Sequence, residues 1–287
     1  MADLRRMQEL VQRTWSPGRR SHIGDLAWGY WLARDAGEQP RIALWEDGAE
    51  VVAWAWADES GSLEWLADPG HSHLLPDMLG WFESVTTAAD RNCLVMEGDD
   101  AARAALEARG YQPQSGGPFF TRHQRGLAGL PAPGLPAGYR LSRVAPGQAG
   151  ERAAAHRAGW SEFGSRLSAE SYAGLMGTYP YRAETDLVVT APGGEWVASA
   201  LGWYDDVNAV GLVEPVSCHP AYRRRGLAGA VNVALLHAVG ELGGACAVIL
   251  PRGDDAYPAP GLLYRGIGYT PGPRMIRYVR RLPDASR

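Results

Sequence analysis

The sequence of 287 residues contains no lysine, and all 28 of its basic residues are arginine. The phosphate-binding loop of nucleotide hydrolases, Gly-x-x-x-x-Gly-Lys followed by Ser or Thr, is therefore excluded. The basic residues are outnumbered by 32 acidic residues, which gives a formal net charge of −4. This charge argues against general nucleic-acid binding, so we expect no nucleic-acid partner.

Cysteine and long apolar runs are scarce as well. Cys93, Cys218 and Cys246 are far apart and form no Cys-x-x-Cys pair. An odd, widely spaced set predicts neither a disulfide framework nor a zinc site, and we expect no metal. No apolar stretch approaches the length of a membrane span, and the charged start of the chain, Met1 to Leu10, is unlike a signal peptide. These absences predict a soluble cytoplasmic protein with no membrane partner.

The length and the 46% of hydrophobic residues suffice for two domains of ordinary size. Proline and glycine punctuate the middle of the chain without periodicity, which is typical of a linker. The segment Met96–Ala101 is echoed by Pro251–Ala256, and a repeat this long indicates a duplicated domain. We predict these units: a first domain at 1–125, a Pro/Gly linker at 126–138 and a second domain at 139–287.

The most informative segment of the second half joins a predicted strand, Val210–Cys218, to a predicted helix, 225–242. The helix has an apolar stripe with spacings of three and four, which indicates packing against a sheet. Gly226 at the helix start lets the backbone approach a ligand closely. The free N–H groups of the first turn and the helix dipole favour an anion there. We expect a phosphate or pyrophosphate to bind at this turn.

The residues of this turn separate the known phosphate-binding patterns. Gly226-Leu227-Ala228-Gly229 does not fit the dinucleotide pattern Gly-x-Gly-x-x-Gly. Arg223-Arg224-Arg225-Gly226-Leu227-Ala228 does match Arg/Gln-x-x-Gly-x-Gly/Ala. A buried strand pattern at 245–250 and the segment Leu263–Tyr269, which reads Leu-Tyr-x-x-x-Gly-Tyr, follow in order. Together these features resemble the acyl-CoA-binding signatures of the GNAT superfamily, the GCN5-related N-acetyltransferases.

The resemblance implies an α/β fold, with a mixed central sheet flanked by helices, in two tandem GNAT-like domains. The first domain has the same predicted order of elements, but Asp68–Pro76 lacks the Arg-x-x-Gly-x-Ala pattern. It therefore resembles a degenerate domain that has lost its cofactor site, as in tandem GNAT proteins such as mycothiol synthase. Met275–Val279 alternates in polarity, and we predict that it is an edge strand.

The resemblance also implies that acetyl-CoA, or another acyl-CoA, is a co-substrate. Backbone N–H groups of the turn would hold the pyrophosphate, the arginines would add charge, and backbone groups of the preceding strand would bind the pantetheine arm. The residues implied in cofactor binding are Val216, Cys218, Arg223, Arg224, Arg225, Gly226, Leu227, Ala228 and Gly229.

Two residues match catalytic positions of the family. Tyr264 corresponds to a tyrosine that donates a proton to the departing thiolate, and its alternative role is to pack the last helix against the sheet. Glu214 corresponds to a general base on the strand before the turn. An acid in an otherwise apolar strand is either functional or paired with an arginine, and the sequence leaves both roles open. Cys218 lacks an activating His/Asp arrangement and is expected to be a buried thiol.

The expected acceptor is an amine of a small molecule or peptide, attacked directly without a covalent enzyme intermediate. Trp203, Asp205 and Asp206 are candidate acceptor contacts because aromatic and acidic groups suit a cationic amine. The alternative places aromatic residues at the interface of the halves and the two acids in a turn. The chain is expected to be a monomer or a homodimer. A non-catalytic protein that senses acyl-CoA, or serves as a scaffold, is the alternative function.

Overall fold

The computed structural model describes residues 1–282. The N-terminal half contains four α-helices and six strands, which begin and end as follows: α1 Ala2–Thr14, α2 Ile23–Asp35, β1 Arg41–Asp47, β2 Glu50–Ala57, β3 Ser62–Ala67, α3 Leu75–Val85, β4 Asp90–Met96, α4 Asp100–Ala108, β5 Gln112–Pro113 and β6 Phe120–Gly126.

Residues 127–282 contain four further α-helices and six strands: β7 Arg140–Arg143, α5 Ala149–Gly159, α6 Ala169–Met176, β8 Asp186–Thr190, β9 Trp196–Asp205, β10 Val210–Cys218, α7 Leu227–Glu241, β11 Cys246–Ile249, α8 Ala259–Gly266 and β12 Thr270–Arg281. The predicted bounds of β10 are confirmed, and α7 begins two residues after its predicted start. None of the helices within residues 1–282 is long and apolar enough to cross a membrane.

The strands form one mixed sheet that runs through both halves. Its order is β1-β2-β3-β4-β12-β6-β11-β10-β9-β8-β7, with β5 paired to β12. Helices cover both faces: in the C-terminal half, α7 and α8 pack on one face, while α5 and α6 pack on the other. The predicted α/β class with a mixed sheet is therefore confirmed.

The two halves exchange their last strands. The C-terminal strand β12 pairs with β4 of the N-terminal half, whereas β6 of the N-terminal half pairs with β11. The prediction that Met275–Val279 is an edge strand is wrong, because β12 lies between β4 and β6. Alternating polarity indicates that one face of a strand is buried, but it does not indicate how many strands lie beside it. Two arginines of β12 are satisfied by neighbouring elements: Arg277 donates to Asn92 of β4 at 2.7 Å, and Arg280 donates to Glu83 of α3 at 2.9 Å.

Helix α2 belongs to the N-terminal half but packs into the cores of both halves. Ile23 and Leu26 lie in a cluster with α1 and β2, whereas Ala27 and Trp28 lie in a cluster with α5 and α6. At Gly24 the helix approaches Trp203 so closely that an added Cβ would lie 2.2 Å from the indole. Glycine is therefore required where α2 crosses onto the C-terminal half.

Candidate active site

The candidate site lies where the parallel strands β10 and β11 separate. β10 pairs with β11 at only three positions, the last being Leu212 with Val248. Immediately beyond, the pairing of β10 with β9 shifts between Val213 and Val216, and the Glu214–Pro215 peptide bond is cis. Residues 213–218 therefore keep one neighbouring strand, and their other edge faces a gap. Backbone groups along that edge, including those of Val216, have no partner strand among residues 1–282, and at Cys218 the carbonyl accepts from Arg223 at 3.4 Å, so an extended chain could bind there.

The turn after β10 presents backbone amides to solvent. Arg224 and Gly226 adopt left-handed conformations, with φ of 65° and 76°. Gly226 is the N-cap of α7, no side chain caps the helix, and the first helical turn holds no acid. A Cβ built on Gly226 would meet no atom within 4 Å. The N–H groups of Leu227, Ala228 and Gly229 have no hydrogen-bond partner within residues 1–282, and they lie at the positive end of a fifteen-residue helix, which suits an anion.

The three arginines of the turn have different surroundings. Arg223 donates to Glu162 at 2.8 Å and to the Gly159 carbonyl at 3.5 Å, so it fastens the turn to the end of α5. Arg225 donates to the Tyr139 hydroxyl at 2.8 Å. Arg224 is exposed and forms no ion pair among residues 1–282. The charge of Arg223 is balanced by Glu162, so Arg224 and Arg225 carry the net positive charge of this turn.

Glu214 lies within a cluster of acids rather than beside an arginine of its own half. Burial, followed by the charge of the nearby Asp25 of α2, raises the pKa of Glu214 to about 8. Burial also raises the pKa of Asp25 to about 6. The third acid, Glu64, is ion-paired with Arg20. Near neutral pH the two carboxyl groups of Asp25 and Glu214 therefore share a proton, and loss of that proton creates a base.

Tyr264 is buried on α8, and its ring meets Tyr269 edge-on with centroids 5.7 Å apart. Burial, and then the negative charge of Glu214, raises the pKa of the Tyr264 hydroxyl. The hydroxyl remains protonated at all physiological pH values, so it can donate a proton but not accept one. The effect of Glu214 on Tyr264 also indicates that the two predicted catalytic residues lie in one electrostatic environment.

Glu214 opens into a cavity of about 450 Å³ that lies between the two halves. The floor is the sheet at the junction, where Leu94, Met275 and Phe120 come from β4, β12 and β6. α2 forms one wall. The remaining lining residues come from α2 itself and from the turns and strands around it: Arg20, Ser21, Asp25, Leu26, Trp28, Gly29, Leu32, Ala33, Ala36, Glu38, Trp56, Asp58, Ser62, Glu64, Glu214 and Leu250.

The three predicted acceptor contacts do not line this cavity. Asp205 is fully buried, and it accepts hydrogen bonds from Gln12 at 2.9 Å and Asn208 at 2.8 Å. Trp203 is also fully buried, and its indole N–H donates to the Glu214 carbonyl at 2.7 Å. Asp206 is at the surface, 3.4 Å from Arg182. Asp205 and Trp203 hold the halves and the β10 bulge together, and Asp206 lies apart from the reaction centre.

The residues that sequence reasoning missed come from the N-terminal half. Asp25 was the only acid in the apolar run of α2, Ile-Gly-Asp-Leu-Ala-Trp-Gly-Tyr-Trp-Leu, and this is the signal that could have identified it. Its oxygen accepts the His22 N–H at 2.7 Å, which is an ordinary helix cap, so the signal has a second explanation. Glu64, on β3, carried no comparable signal.

Cys218 is half-buried, and burial raises the pKa of its thiol. A thiol with a raised pKa is a poor nucleophile at neutral pH, so the thiol is not equipped for covalent catalysis. Among residues 1–282, no group of three or more His, Cys, Asp or Glu side chains has the geometry to hold a metal ion.

Solved structures with the same fold match nearly the whole chain. A GCN5-related N-acetyltransferase from Sphaerobacter thermophilus has a TM-score of 0.64 at 19% identity, over 98% of this chain and 93% of that one. A tandem GNAT protein from the clavulanic acid biosynthesis pathway has a TM-score of 0.65 at 15% identity, over 99% and 94%. A GNAT-family acetyltransferase from Colwellia psychrerythraea has a TM-score of 0.62 at 11% identity, over 97% of each.

No model of a protein family and no curated protein matches the sequence. The solved structures are related by fold at low identity. They confirm that the chain has the tandem GNAT fold.

Proposed function

We propose that this tandem GNAT fold is an acyl-CoA-dependent N-acyltransferase that moves the acetyl group of acetyl-CoA to an amine by direct attack. The observation that carries the proposal is the turn at Gly226, where the first backbone amides of α7 are open to a ligand. This turn follows β10, the strand that separates from β11. The same strand presents Glu214 to a cavity of about 450 Å³. These positions support the assignment of a donor site, a base and an acceptor cavity to this region.

The diphosphate of acetyl-CoA would accept hydrogen bonds from the amides of 225–229, and Arg224 and Arg225 would add positive charge. The pantetheine arm would pair with the free edge of β10 at Val216 and Cys218. This arrangement directs the thioester into the gap between β10 and β11. The acceptor amine would reach it from the cavity on the Glu214 side.

An alkyl amine has a pKa of about 10.4, so it arrives protonated and must lose a proton before attack. Glu214, with a raised pKa of about 8, is a stronger base than an ordinary carboxylate. The neutral nitrogen forms a bond to the acetyl carbon as the carbon–sulfur bond breaks. Tyr264 donates its proton to the departing sulfur, and the second proton, lost by the nitrogen as it becomes an amide, returns to the Tyr264 oxygen. The direct test is thiol release when the protein, acetyl-CoA and a broad panel of amines are combined.

Tyr264→Phe separates an enzyme from a protein that only senses acyl-CoA. The variant keeps the ring that packs on Tyr269 but lacks the proton donor. We expect kcat to fall by about 10²-fold, the lower range for loss of one acid–base group, while the Kd for acetyl-CoA stays unchanged. Tyr269→Phe is the matched control. Acetyl-CoA binding without thiol release in the wild type would support the sensor instead.

A further inference from the structure

Trp203 of β9 is a fully buried tryptophan that contacts the strand carrying Glu214. From Val213 to Val216 β10 advances three residues, whereas the paired segment of β9 advances two, so β10 carries one extra residue here. Such a β-bulge interrupts the regular ladder of hydrogen bonds. The indole N–H of Trp203 donates to the backbone carbonyl of Glu214, within this bulge, at 2.7 Å. The indole therefore fixes the backbone of Glu214 where regular pairing with β9 is lost.

Trp203 also lies against the start of α2. A Cβ added to Gly24 would lie 2.2 Å from the indole ring and 2.3 Å from the Cβ atom of Trp203. Because the helix backbone and this side chain are in direct contact, neither can shift without displacing the other. The next residue of α2 is Asp25, whose charge acts on Glu214. Trp203 thus connects the backbone that carries one carboxyl group to the backbone that carries the other.

His22, the N-cap of α2, forms a second connection to β10. Its Nδ1 accepts the N–H of Gly24 at 3.0 Å, which leaves the ring proton on Nε2, and Nε2 lies 3.4 Å from the carbonyl oxygen of Val210. Burial lowers the pKa of His22 to about 4, so the ring is neutral near pH 7. The start of α2 is therefore attached to β10 at the first residue of the strand and, through Trp203, at the bulge.

Most groups that act on Glu214 are held in place by this attachment. The charged or titratable groups around Glu214 and its neighbour Asp25 come from several elements and are Asp25 itself, Arg20, Glu64, Arg122 and Tyr264. All of them except Tyr264 belong to the N-terminal half. The surroundings of Glu214 consequently depend on how α2 is held against β10.

We propose that Trp203 is a positioning residue, which transmits the placement of α2 to the proposed base by holding the backbone of Glu214 in the β10 bulge. This inference rests on the proposed acyl transfer and assigns the N-terminal half a role in it. Trp203 does not line the cavity, so it acts through Glu214. The N-terminal half contributes to the reaction by fixing where the base lies.

Trp203→Phe tests the proposal, because it retains a ring against Gly24 and removes the N–H donor. With acetyl-CoA and the most reactive amine we expect kcat to fall by about tenfold or more, since a small displacement of a reacting group can cost up to about 10²-fold. The Kd for acetyl-CoA should stay unchanged, because the turn at Gly226 is not altered.

An NMR titration of the Glu214 carboxyl carbon gives a readout that does not depend on activity, and Glu214→Gln assigns the signal. The wild-type signal should titrate near pH 8. In Trp203→Phe the midpoint should move to lower pH, because displacement of Glu214 weakens both causes of its raised pKa, burial and the charge of Asp25. An unchanged midpoint and an unchanged kcat in a folded Trp203→Phe would overturn the proposal.

Phe82→Leu is the matched control for the loss of a buried ring. Phe82 is fully buried in a core formed by α3, α4 and the strands β2, β3, β4 and β12. The control should lower the melting temperature and leave kcat and the Glu214 titration as in the wild type. Equal changes in Phe82→Leu and Trp203→Phe would show that Trp203 acts only through stability, which would also overturn the proposal.

His22→Asn is a second, milder variant that keeps the proposal testable if Trp203→Phe does not fold. The asparagine side chain still caps α2 but is too short to reach the Val210 carbonyl. It should lower kcat and the titration midpoint in the same direction as Trp203→Phe, to a smaller extent. Absence of both changes would contradict a role of α2 in placing Glu214.

The two readouts keep the positioning role and the acyl transfer distinct. If no amine releases thiol from the wild type but the Glu214 titration shifts in Trp203→Phe, the positioning role stands and the transfer fails. If the wild type and Trp203→Phe release thiol equally and their titration midpoints agree, the transfer stands and the positioning role fails.

Discussion

At the residue scale, the acid cluster couples catalysis to stability. In the folded protein the pKa of Glu214 is about 8, above its ordinary value of 4.5. A carboxyl group with a raised folded pKa stabilises the fold below its unfolded pKa, and this contribution is lost as the pH rises through about 8. Glu214→Gln has no proton to lose, so its melting temperature should exceed that of the wild type by a few degrees at pH 9 and match it near pH 5.

Thermal melts of both proteins between pH 5 and pH 9 measure this difference. Glu162→Gln at the surface, beside Arg223, serves as the control for a general loss of charge. A constant difference between Glu214→Gln and the wild type over the whole range would contradict the raised pKa of Glu214.

Asp25 sets the pH at which the base becomes available. Its charge raises the pKa of Glu214, so its removal should lower that pKa. We expect wild-type kcat/KM to increase with pH up to about 8 and Asp25→Asn to shift this limb to lower pH. The pH profile with a single alkylamine measures the shift. An unmoved or alkaline-shifted limb would show that Asp25 does not act on Glu214.

The sequence indicated the surroundings of some acidic residues much better than those of others. Glu214 became a candidate base because it matches the family's position and because an acid in an apolar strand has few structural explanations, and its role stays a prediction. Asp205 was a candidate for an acceptor contact or a turn residue, and it is satisfied partly by the turn, through Val207 and Asn208, and partly by Gln12, almost two hundred residues away along the chain. Whether an acid is satisfied depends on such distant donors, and periodicity carries no information about them.

At the element scale, the start of α7 is the feature on which the proposed cofactor binding depends. Gly226→Glu would place a carboxylate among the amides that we assign to the diphosphate, so affinity for acetyl-CoA should fall by more than about tenfold. Gly129→Glu is the matched control, because Gly129 is also left-handed, with φ of 65°, and also has open space around it. Calorimetry compares the two variants. Equal affinities would mean that the anion binds elsewhere.

Most elements could be predicted because their signals are local. The strand pattern at β10, the apolar stripe of α7 and the glycine between them each follow from residues within a few positions of one another. The position of β12 could not be predicted in this way. The neighbours of β12 depend on which half of the chain it pairs with. Each half contains a pair of parallel strands with an edge to which β12 could pair.

At the scale of the whole molecule, the exchange of β6 and β12 joins the halves into one folding unit. A fragment 139–287 lacks β6, so both β11 and β12 would lose a partner. We expect this fragment to show no cooperative melt by circular dichroism. Fragments 1–130 and 131–287, separated within the predicted linker, should instead associate when refolded together and co-elute in size-exclusion chromatography. An independent cooperative melt of 139–287 would contradict this account.

The limits of the two predicted domains and the monomer-or-dimer state stay predictions, and so does the cytoplasmic location. The exchanged strands show why a boundary in sequence does not divide this sheet. The linker separates two duplicated segments, yet each segment completes the sheet of the other. The cavity that we propose for the acceptor forms where they meet, and the N-terminal half supplies four of its five acids.

The most direct test of the central claim is a crystal structure of the protein soaked with CoA. The account predicts that the diphosphate lies within hydrogen-bond distance of the amides at 225–229, with the thiol in the gap between β10 and β11 facing Glu214. Density for CoA at any other surface, with none at the turn around Gly226, would contradict the account.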